Sequence, residues 1–249
     1  MQGATGFGDI LALVRDLRRR CDFDRALTLE TLRPYLREEL AEFEEAQDHH
    51  DEAKIAAELG DLLLHCAFQV VLAEERGAFD LEQVAARLIA KMKARHPHLY
   101  ADGAKPHWER HKAEERRHEA ALRGEEVSVL GHLPPALPEL ERAFRYQERA
   151  AAVGFDWPDL AGPIAKLAEE VEEARSQPAA EIGDVLFAAV NVARKAGVHP
   201  TAALRGATDK FKARFQAIER LAVSRGIDVA SAGLAMLDAM WNEVKPGHP

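Results

Sequence analysis

Apolar and polar residues follow one another along this chain with the spacing of α-helices. Apolar positions recur every three to four residues in ILALVRDLRRR, AAELGDLLLHCAFQVVLAEE and LEQVAARLIAKMKA, and such spacing places them on one face of a helix. Strand signals are nearly absent, because β-branched runs are few while alanine, leucine, glutamate and arginine dominate. The pattern therefore predicts an all-α fold.

The helical pattern is interrupted between about residues 119 and 138, where the passage GEEVSVLGHLPPALP collects glycines and prolines. A chain of 249 residues is long enough for two domains of about 120 residues each. We therefore predict a first domain over residues 1–120, a linker over 121–138 and a second domain over 139–249.

The two halves of the chain repeat each other. In the first half come REELAEFEEA, AAELGDLLLHCAFQVV, KMKARH and WERHK, and in the second half come AEEVEEARS, AAEIGDVLFAAVNVA, KFKARF and WNEVK. Each half thus contains an EExxE motif, an ExxD motif that leads into an apolar run, a KxxxR pair and a WxxxK pair. One shared four-residue motif could arise by chance, but four in the same order indicate an internal duplication.

The acidic motifs predict a divalent-cation site in each half. Residues three and four positions apart share a helix face, about 5–6 Å apart between Cβ atoms, so two neighbouring helices can bring four carboxylates together. Oxygen ligands suit Mg²⁺ or Mn²⁺. A solvated helix face would explain a single EExxE motif, but a carboxylate that leads into a buried helix needs a partner. The predicted ligands are Glu39, Glu42, Glu58 and Asp61 in the first half, and Glu170, Glu173, Glu181 and Asp184 in the second.

Basic and aromatic residues downstream of the acidic motifs predict a nucleotide site. A lysine and an arginine one turn apart can bind phosphate oxygens, and a tryptophan offers a flat apolar face. Taken alone, these residues are also explained as a surface charge pair and a core tryptophan. The candidates are Lys91, Arg95, Trp108 and Lys112 in the first half, and Lys210, Arg214, Trp241 and Lys245 in the second.

Composition narrows the function classes. The chain has 42 acidic and 33 basic side chains and a net charge of −9, which disfavours a general nucleic-acid binder. The apolar run LLLHCAFQVVLA is shorter than the roughly 20 residues of a membrane span, and we find no pattern of a secretory signal. Cys21 and Cys66 form no CxxC pair, so we predict two buried thiols without zinc or disulfide. We expect a soluble, cytoplasmic protein.

Histidines add little to the predicted chemistry. Glu115 and His118 form an ExxH pair once, whereas a di-iron bundle needs that spacing in two helices. We interpret His65, within the apolar run, as a core histidine with satisfied hydrogen bonds rather than as a ligand. The sequence contains no glycine-rich phosphate loop and no nucleophile elbow, so phosphates would be held by a metal ion and side chains.

In combination these motifs resemble those of the MazG nucleoside triphosphate pyrophosphohydrolases. The similarity includes the tandem acidic motifs, HPHLYAD followed by WERHKAEER, the passage AAVGFDW, and the closing KFKARF and WNEVK, and it covers residues 10–246. The resemblance implies an all-α NTP pyrophosphatase fold with two MazG domains per chain and bundles completed by homodimerisation. It also implies Mg²⁺-dependent cleavage of NTPs and dNTPs to monophosphate and pyrophosphate, in the removal of non-standard or excess nucleotides.

The resemblance also implies roles for residues of the second half. The acidic motifs of this family hold the metal, and Glu169, Glu170 and Glu173 become the candidate catalytic residues, with Glu169 as a water-orienting base. Two departures matter: CDFDRALT replaces the family's CPWD followed by QT, and only 8 residues separate Glu173 from Glu181, against 16 from Glu42 to Glu58. We expect the second site to be active and leave the activity of the first open.

Two other functions fit the same motifs. A catalytically silent helical dimer could sense a nucleotide or dock a partner, and it would release no pyrophosphate. A purely structural acidic bundle would show no effect of divalent cations on its melting temperature, whereas a metal site stabilises the folded state by mass action.

Overall fold

The computed structural model describes residues 6–101, 114, 117, 121–122, 124 and 128–245. The described residues form helices and contain no strand, which confirms the predicted all-α class. The chain divides into two compact units, Met1–Lys105 and Pro106–Pro249. The predicted linker over residues 121–138 stays a prediction.

The described part of the first unit consists of six helices, three of which begin with side-chain caps. Thr28, Asp51 and Asp80 each accept a hydrogen bond from the backbone N–H three residues later, which satisfies a donor that the first helical turn leaves free. The helices are α1 (Phe7–Arg20), α2 (Asp22–Ala26), α3 (Leu29–Asp48), α4 (Glu52–Glu75), α5 (Leu81–Arg95) and α6 (Pro97–Tyr100).

Helices α3 and α4 form an antiparallel hairpin, and α1 packs against α4. The reversal occurs at His49–Asp51, where His50 adopts a positive φ of 55°. Two bidentate ion pairs, Arg15 with Glu74 at 2.9 Å and Arg18 with Glu75 at 2.6 Å, join α1 to the end of α4. The buried core comprises Leu11, Val14, Leu32, Ala67, Phe68, Val70, Val71 and Leu72.

Helix α4 is both the core helix of the first unit and its most apolar segment. Among the described residues it is the one helix long and apolar enough, by length and composition, to cross a membrane. Core helices of soluble proteins share that composition. In α4 the C-terminal half packs into the apolar core of the unit, so we interpret it as a core helix.

Between residues 128 and 245 the second unit contains five helices. Helices α8 and α9 form a hairpin with α7 packed on α9, where the Gln147 amide donates to the Phe187 carbonyl at 2.8 Å. A separate small core around Ile218 and Met240 joins α10 to α11. The helices are α7 (Glu139–Ala151), α8 (Ala161–Ser176), α9 (Pro178–Lys195), α10 (Pro200–Ser224) and α11 (Leu234–Glu243).

The prediction of two buried thiols is wrong. Cys66 is exposed and Cys21 is only partly buried. Cys66 lies with Leu59 and Leu63 at i, i+4 and i+7 along α4, and this stripe faces away from the core of the unit. An apolar run of this length places apolar residues on every face of the helix. The sequence therefore could not show which face would pack against the core of the unit.

Two candidate metal centres

Three carboxylates from two helices converge in the first unit. Glu39 of α3 and Glu58 and Asp61 of α4 each place one oxygen within 4.8 Å of the others. Glu58 and Asp61 share a helix face because they are three residues apart, and the antiparallel hairpin brings Glu39 opposite them. Glu58 is 8% exposed, whereas Asp61 lies at the surface. The first cluster (Glu39, Glu58, Asp61) is therefore half-enclosed.

The carboxylates of the first cluster form no ion pair with a lysine or arginine among the described residues. Burial, followed by the charges of Asp61, Glu42, Glu58 and Glu38, raises the pKa of Glu39 above its ordinary value of 4.5. A buried carboxylate without a partner is unfavourable, and an all-oxygen donor set of this kind fits a hard divalent cation.

His65 adjoins the first cluster. Its Nε2 lies 4.0 Å from Glu39 Oε1, and its Nδ1 is buried without a hydrogen-bond partner. Burial lowers the pKa of His65, and the negative charge of Asp61 acts in the opposite direction. His65 is buried, as predicted for a core histidine, but the prediction that its hydrogen bonds are satisfied is wrong, because the apolar run shows burial and not what the ring nitrogens contact.

Three carboxylates also converge in the second unit. Glu170 and Glu173 of α8 and Glu181 of α9 lie within 4.8 Å of one another, and Glu170 is 7% exposed. We call them the second cluster. Helix α8 ends at Ser176 and α9 begins at Pro178, so Gln177 alone makes the predicted tight turn. The segment from Glu173 to Glu181 is eight residues shorter than that from Glu42 to Glu58. Each helix contributes three residues fewer and the turn two fewer, which places the second cluster about 4.5 Å closer to its turn.

The second cluster contains its own cation. Lys166 Nζ lies 2.7 Å from Glu169 Oε1 and 2.7 Å from Glu170 Oε1, and these hydrogen bonds raise the pKa of Lys166. The sequence interpretation missed Lys166, although its i, i+3 and i+4 spacing from the two glutamates was the signal that could have found it. The first half has Tyr35 at this position of the repeat.

Known proteins resemble the chain over nearly its whole length. The nucleoside triphosphate pyrophosphohydrolase of Escherichia coli strain K12 is 35% identical over 253 residues, which cover 95% of this chain and 94% of the relative. A Thermotoga maritima protein, the nucleoside triphosphate pyrophosphohydrolase/pyrophosphatase MazG, is 37% identical over 251 residues, which cover 97% and 96%. The chain belongs to the MazG nucleoside triphosphate pyrophosphohydrolase family. The profile of the MazG nucleotide pyrophosphohydrolase domain matches residues 27–100, which contain the first cluster.

The structure brings together three of the four predicted ligands in each half of this MazG-family chain. Glu42 and Asp184 are exposed and do not belong to the three-carboxylate groups, although the charge of Glu42 still acts on Glu39. The buried carboxylate also differs between the repeats: it is Glu58 of the ExxD motif in the first and Glu170 of the EExxE motif in the second.

The predicted nucleotide-binding residues of the second unit lie on α10, on α11 and just after α11. The Arg214 guanidinium lies over the Trp241 ring, 5.5 Å from its centroid, which is cation–π range. Trp241 is partly buried against the core around Ile218 and Met240, so it anchors α11 in addition to any nucleotide contact. Lys210 and Lys245 are exposed.

The corresponding residues of the first unit are only partly described. Lys91 is exposed and Arg95 is partly buried on α5. Trp108 and Lys112 lie outside the described residues, as do Glu115 and His118.

The family-like GFDW passage forms a charged clamp on α9. Asp156 accepts hydrogen bonds from Arg194 at 2.5 Å and from Lys195 at 3.0 Å. The hydrogen bond from Arg194 is the largest cause that lowers the pKa of Asp156, and Lys195 adds to it. The neighbouring Trp157 ring packs against Gly162 at the start of α8, so closely that a Cβ there would lie 2.0 Å from Trp157 Cδ1. This clamp fixes the beginning of the helix that carries Glu170 and Glu173.

Proposed function

We propose that this chain hydrolyses nucleoside triphosphates to monophosphate and pyrophosphate with a divalent cation, Mg²⁺ or Mn²⁺, bound by its carboxylate clusters. The observation that supports this most directly is the first cluster, in which oxygens of three carboxylates from two helices lie within 4.8 Å of one another. Burial and the charges of the neighbouring carboxylates raise the pKa of Glu39. The relatives named nucleoside triphosphate pyrophosphohydrolase supply the substrate class.

The carboxylates have distinct proposed roles. Glu39, Glu58 and Asp61 would hold an ion in the first unit, and Glu170, Glu173 and Glu181 in the second, with Asp184 and Glu42 at the edges. When bound, such an ion polarises phosphate oxygens and lowers the pKa of water. We assign Glu169 as the residue that orients water and accepts its proton, and the 2.7 Å hydrogen bond from Lys166 fixes the position of this carboxylate.

Basic side chains would bind the triphosphate. Lys210, Arg214 and Lys245 would neutralise the departing pyrophosphate, as fixed positive charges stabilise charge that develops during the reaction. The contact of Arg214 with the Trp241 ring holds the guanidinium in place, so it is preorganised for this role. Lys91, Arg95, Trp108 and Lys112 would serve in the same way in the first unit.

The two clusters differ in how readily they can take a metal ion. In the second cluster the Lys166 ammonium group already lies 2.7 Å from Glu170 Oε1. A metal ion there must either displace Lys166 or share the Glu170 carboxylate with it. Among the described residues the first cluster pairs with no such cation. We therefore propose that the first cluster binds a divalent ion more tightly when nucleotide is absent, and that both clusters function, rather than the second alone.

We further propose that two copies of the chain associate. Equivalent positions of the repeat leave the same apolar stripe uncovered on each hairpin: Leu59 and Leu63 on α4, and Ile182 and Leu186 on α9, are 39–58% exposed. A helix hairpin with a bare apolar stripe is stabilised by burying it against another element. A homodimer would complete both helical bundles.

The cellular role we propose is house-cleaning of the nucleotide pool in the cytoplasm, through removal of non-standard or excess triphosphates. It follows from the substrate class of the relatives and not from a base-specific pocket. A panel of canonical and damaged nucleotides, compared by kcat/KM for pyrophosphate release, tests it. A preference for damaged bases supports removal of non-standard triphosphates, equal efficiency supports removal of excess triphosphates, and no release from any nucleotide contradicts both.

The proposed activity is tested by pyrophosphate release from NTPs and dNTPs with Mg²⁺. Glu58→Gln and Glu170→Gln remove the buried carboxylate of each cluster, and we expect each to reduce kcat at its own site. Matched controls are Glu45→Gln on α3 and Glu172→Gln on α8, since both residues are exposed and form surface ion pairs only. Nucleotide binding without pyrophosphate release from any substrate would instead indicate a sensor.

A further inference from the structure

The helix that carries the proposed phosphate-binding residues of the second unit begins without a side-chain cap of its own. Helix α10 starts at Pro200, and its N-cap residue His199 makes no capping hydrogen bond. Helix α5, which carries the corresponding residues of the first unit, follows Asp80, whose side chain accepts a hydrogen bond from the Gln83 N–H. The first turn of a helix has free N–H donors and partial positive charge. The beginning of α10 therefore suits a carboxylate from another element.

Glu141 of α7 provides that carboxylate. Its Oε1 accepts a hydrogen bond from Thr201 Oγ1 at 2.9 Å and lies 3.4 Å from His199 Nε2. The Glu141 side chain is only 19% exposed, so solvent screens these contacts less than it screens a surface pair. The His199 ring also contacts the Phe144 ring of α7, with 4.9 Å between the ring centroids. One carboxylate thus contacts both the N-cap and the first turn of α10.

The connection between α9 and α10 is only loosely packed. Gly197, Val198 and His199 are exposed, whereas Pro200, the first residue of α10, is buried. The connection borders an open cavity of about 520 Å³, whose other walls are α7 and the end of α9. A segment with few buried apolar contacts opens at low free energy. The direction in which α10 leaves α9 therefore depends on the contacts of Glu141.

The direction of α10 decides where the proposed nucleotide-binding residues lie. Lys210 and Arg214 follow Thr201 by nine and thirteen residues, or about 14 and 20 Å along a helix. A rotation of α10 by about 10° about its first turn would move them by about 2–3 Å. Trp241 would move with them, because a small apolar core joins α11 to α10. A misplacement of about 1 Å can reduce a rate about 100-fold.

We propose that Glu141 is a positioning residue for nucleotide binding at the second cluster. By holding the beginning of α10 against α7, it sets the distance of Lys210 and Arg214 from the ion that the carboxylates of α8 and α9 would bind. The inference rests on the proposed function, which supplies the nucleotide and the ion. Glu141 acts on both through the helix that it holds.

The corresponding residue of the first unit has a different role. The Phe-Asp pairs that follow the first helix of each half align Glu141 with Asp9. Asp9 accepts a hydrogen bond from the Gly6 N–H at the beginning of its own helix, and α5 begins with its own cap at Asp80. We therefore expect substitution of Glu141 to affect nucleotide turnover at the second site and not at the first.

The position of α10 can be measured without nucleotide by double electron–electron resonance. Spin labels are attached to Glu172→Cys on α8 and Lys212→Cys on α10, both at exposed positions. The full chain is used, with its two native cysteines replaced by serine. Dilution with unlabelled chain restricts the signal to distances within one chain.

We expect Glu141→Ala to shift or broaden the distance distribution by about 2–3 Å, as the rotation estimated above would. Glu141→Gln can still accept the Thr201 hydrogen bond and should change the distribution less. Glu139→Ala is the matched control, since Glu139 is an exposed residue of the same helix that pairs with Arg142. This control should give the distribution of the parent chain.

Pyrophosphate release gives the functional readout. In a Glu58→Gln background, which disables the first cluster, Glu141→Ala should lower kcat/KM for a dNTP about tenfold, the scale of a small misplacement. Titration calorimetry with Mg²⁺ alone should give the affinity of the parent chain, because every carboxylate of the second cluster is retained. In a Glu170→Gln background, which leaves the first site, Glu141→Ala should leave kcat/KM unchanged.

The outcomes separate this inference from the proposed function. An unchanged distance distribution in Glu141→Ala overturns the inference and leaves the proposed hydrolysis intact, and so does a displaced α10 with unchanged kcat/KM. Absence of pyrophosphate release from the parent chain contradicts the proposed function, whereas the distance measurement still decides whether Glu141 positions α10. Glu141→Gln keeps the size of the side chain and is measured in both assays where Glu141→Ala fails to fold.

Discussion

Lys166 Nζ lies 2.7 Å from Glu170 Oε1, which makes a lysine the resident counter-ion of the second carboxylate cluster. Six carboxylates between Glu169 and Asp184 would otherwise repel one another, as like charges on one helix do. The first cluster has Tyr35 at the corresponding position. The duplicated motif therefore produced two sites of different charge balance.

Lys166→Gln should raise the affinity of the second cluster for Mg²⁺ severalfold, because the ion no longer competes with an ammonium group for Glu170. Without metal the same variant should melt earlier than the parent chain, since the carboxylates lose their counter-ion. Calorimetric titration in a Glu58→Gln background, which disables the first cluster, measures the affinity. Lys212→Gln, an exposed lysine on α10, is the control, and equal affinities in both variants would refute the competition.

Glu39→Gln should stabilise the metal-free protein near pH 7 and destabilise the metal-loaded one. The pKa of Glu39 is raised in the folded state, so folding favours its protonated form and the cost of the ionised form disappears as the pH falls through that pKa. The gain in Tm with a chelator should therefore shrink as the pH falls from neutral through the raised pKa toward 4.5, the ordinary value of a glutamate. A gain that is independent of pH would show that charge is not the cause.

Asp156→Asn should lower the free energy of unfolding of the second unit by about 1–3 kcal/mol, because Arg194 and Lys195 lose a charged, largely buried acceptor. The folded-state pKa of Asp156 is lowered below 3.8, so the difference between variant and parent should persist at neutral pH and vanish as the pH falls through that lowered pKa. Urea denaturation measures it, with the exposed Asp209→Asn as the control. A difference that survives protonation would contradict an ionic clamp.

Gly162→Ala should destabilise the second unit by about 1–3 kcal/mol through overpacking, since the added Cβ would lie 2.0 Å from Trp157 Cδ1. Gly206→Ala on α10 is the matched control: its Cβ meets open space, and alanine is the better helix former by about 0.5–1 kcal/mol. Thermal unfolding should move the two variants in opposite directions. Equal changes in Tm for the two variants would mean that the Trp157 ring moves aside without destabilising the folded state.

Leu63→Glu or Leu186→Glu should weaken association of the proposed homodimer, because a charge then lies in the apolar stripe of α4 or α9. Sedimentation velocity should show a larger monomer fraction at equal concentration. Val223→Glu, at an apolar residue that is 79% exposed and lies outside these stripes, should leave the distribution unchanged. Monomer in the unsubstituted chain would remove the basis of the proposal.

Helical periodicity predicted the all-α class, and the duplicated motifs predicted which carboxylates cluster to within one residue per half. Glu58 with Asp61, and Glu170 with Glu173, are placed together by spacing alone, because three residues are nearly one helical turn. The exclusion of Glu42 and Asp184 could not be predicted, since it depends on how far each helix is rotated about its axis in the hairpin. The exposed Cys66 and the unsatisfied Nδ1 of His65 depend on the same rotation.

The sequence by itself determined the helices, their duplication and the residue types of both clusters, because these follow from periodicity and from spacing within single helices. The pairing of Lys166 with Glu169 and Glu170 also follows from spacing within one helix. Only the tertiary structure decided that His65 adjoins the first cluster, and that the buried carboxylate is Glu58 in the first unit but Glu170 in the second. The physical reason is that burial is set by contacts between helices, and a difference of eight residues between the acidic motifs of the two halves changes those contacts without changing the motifs.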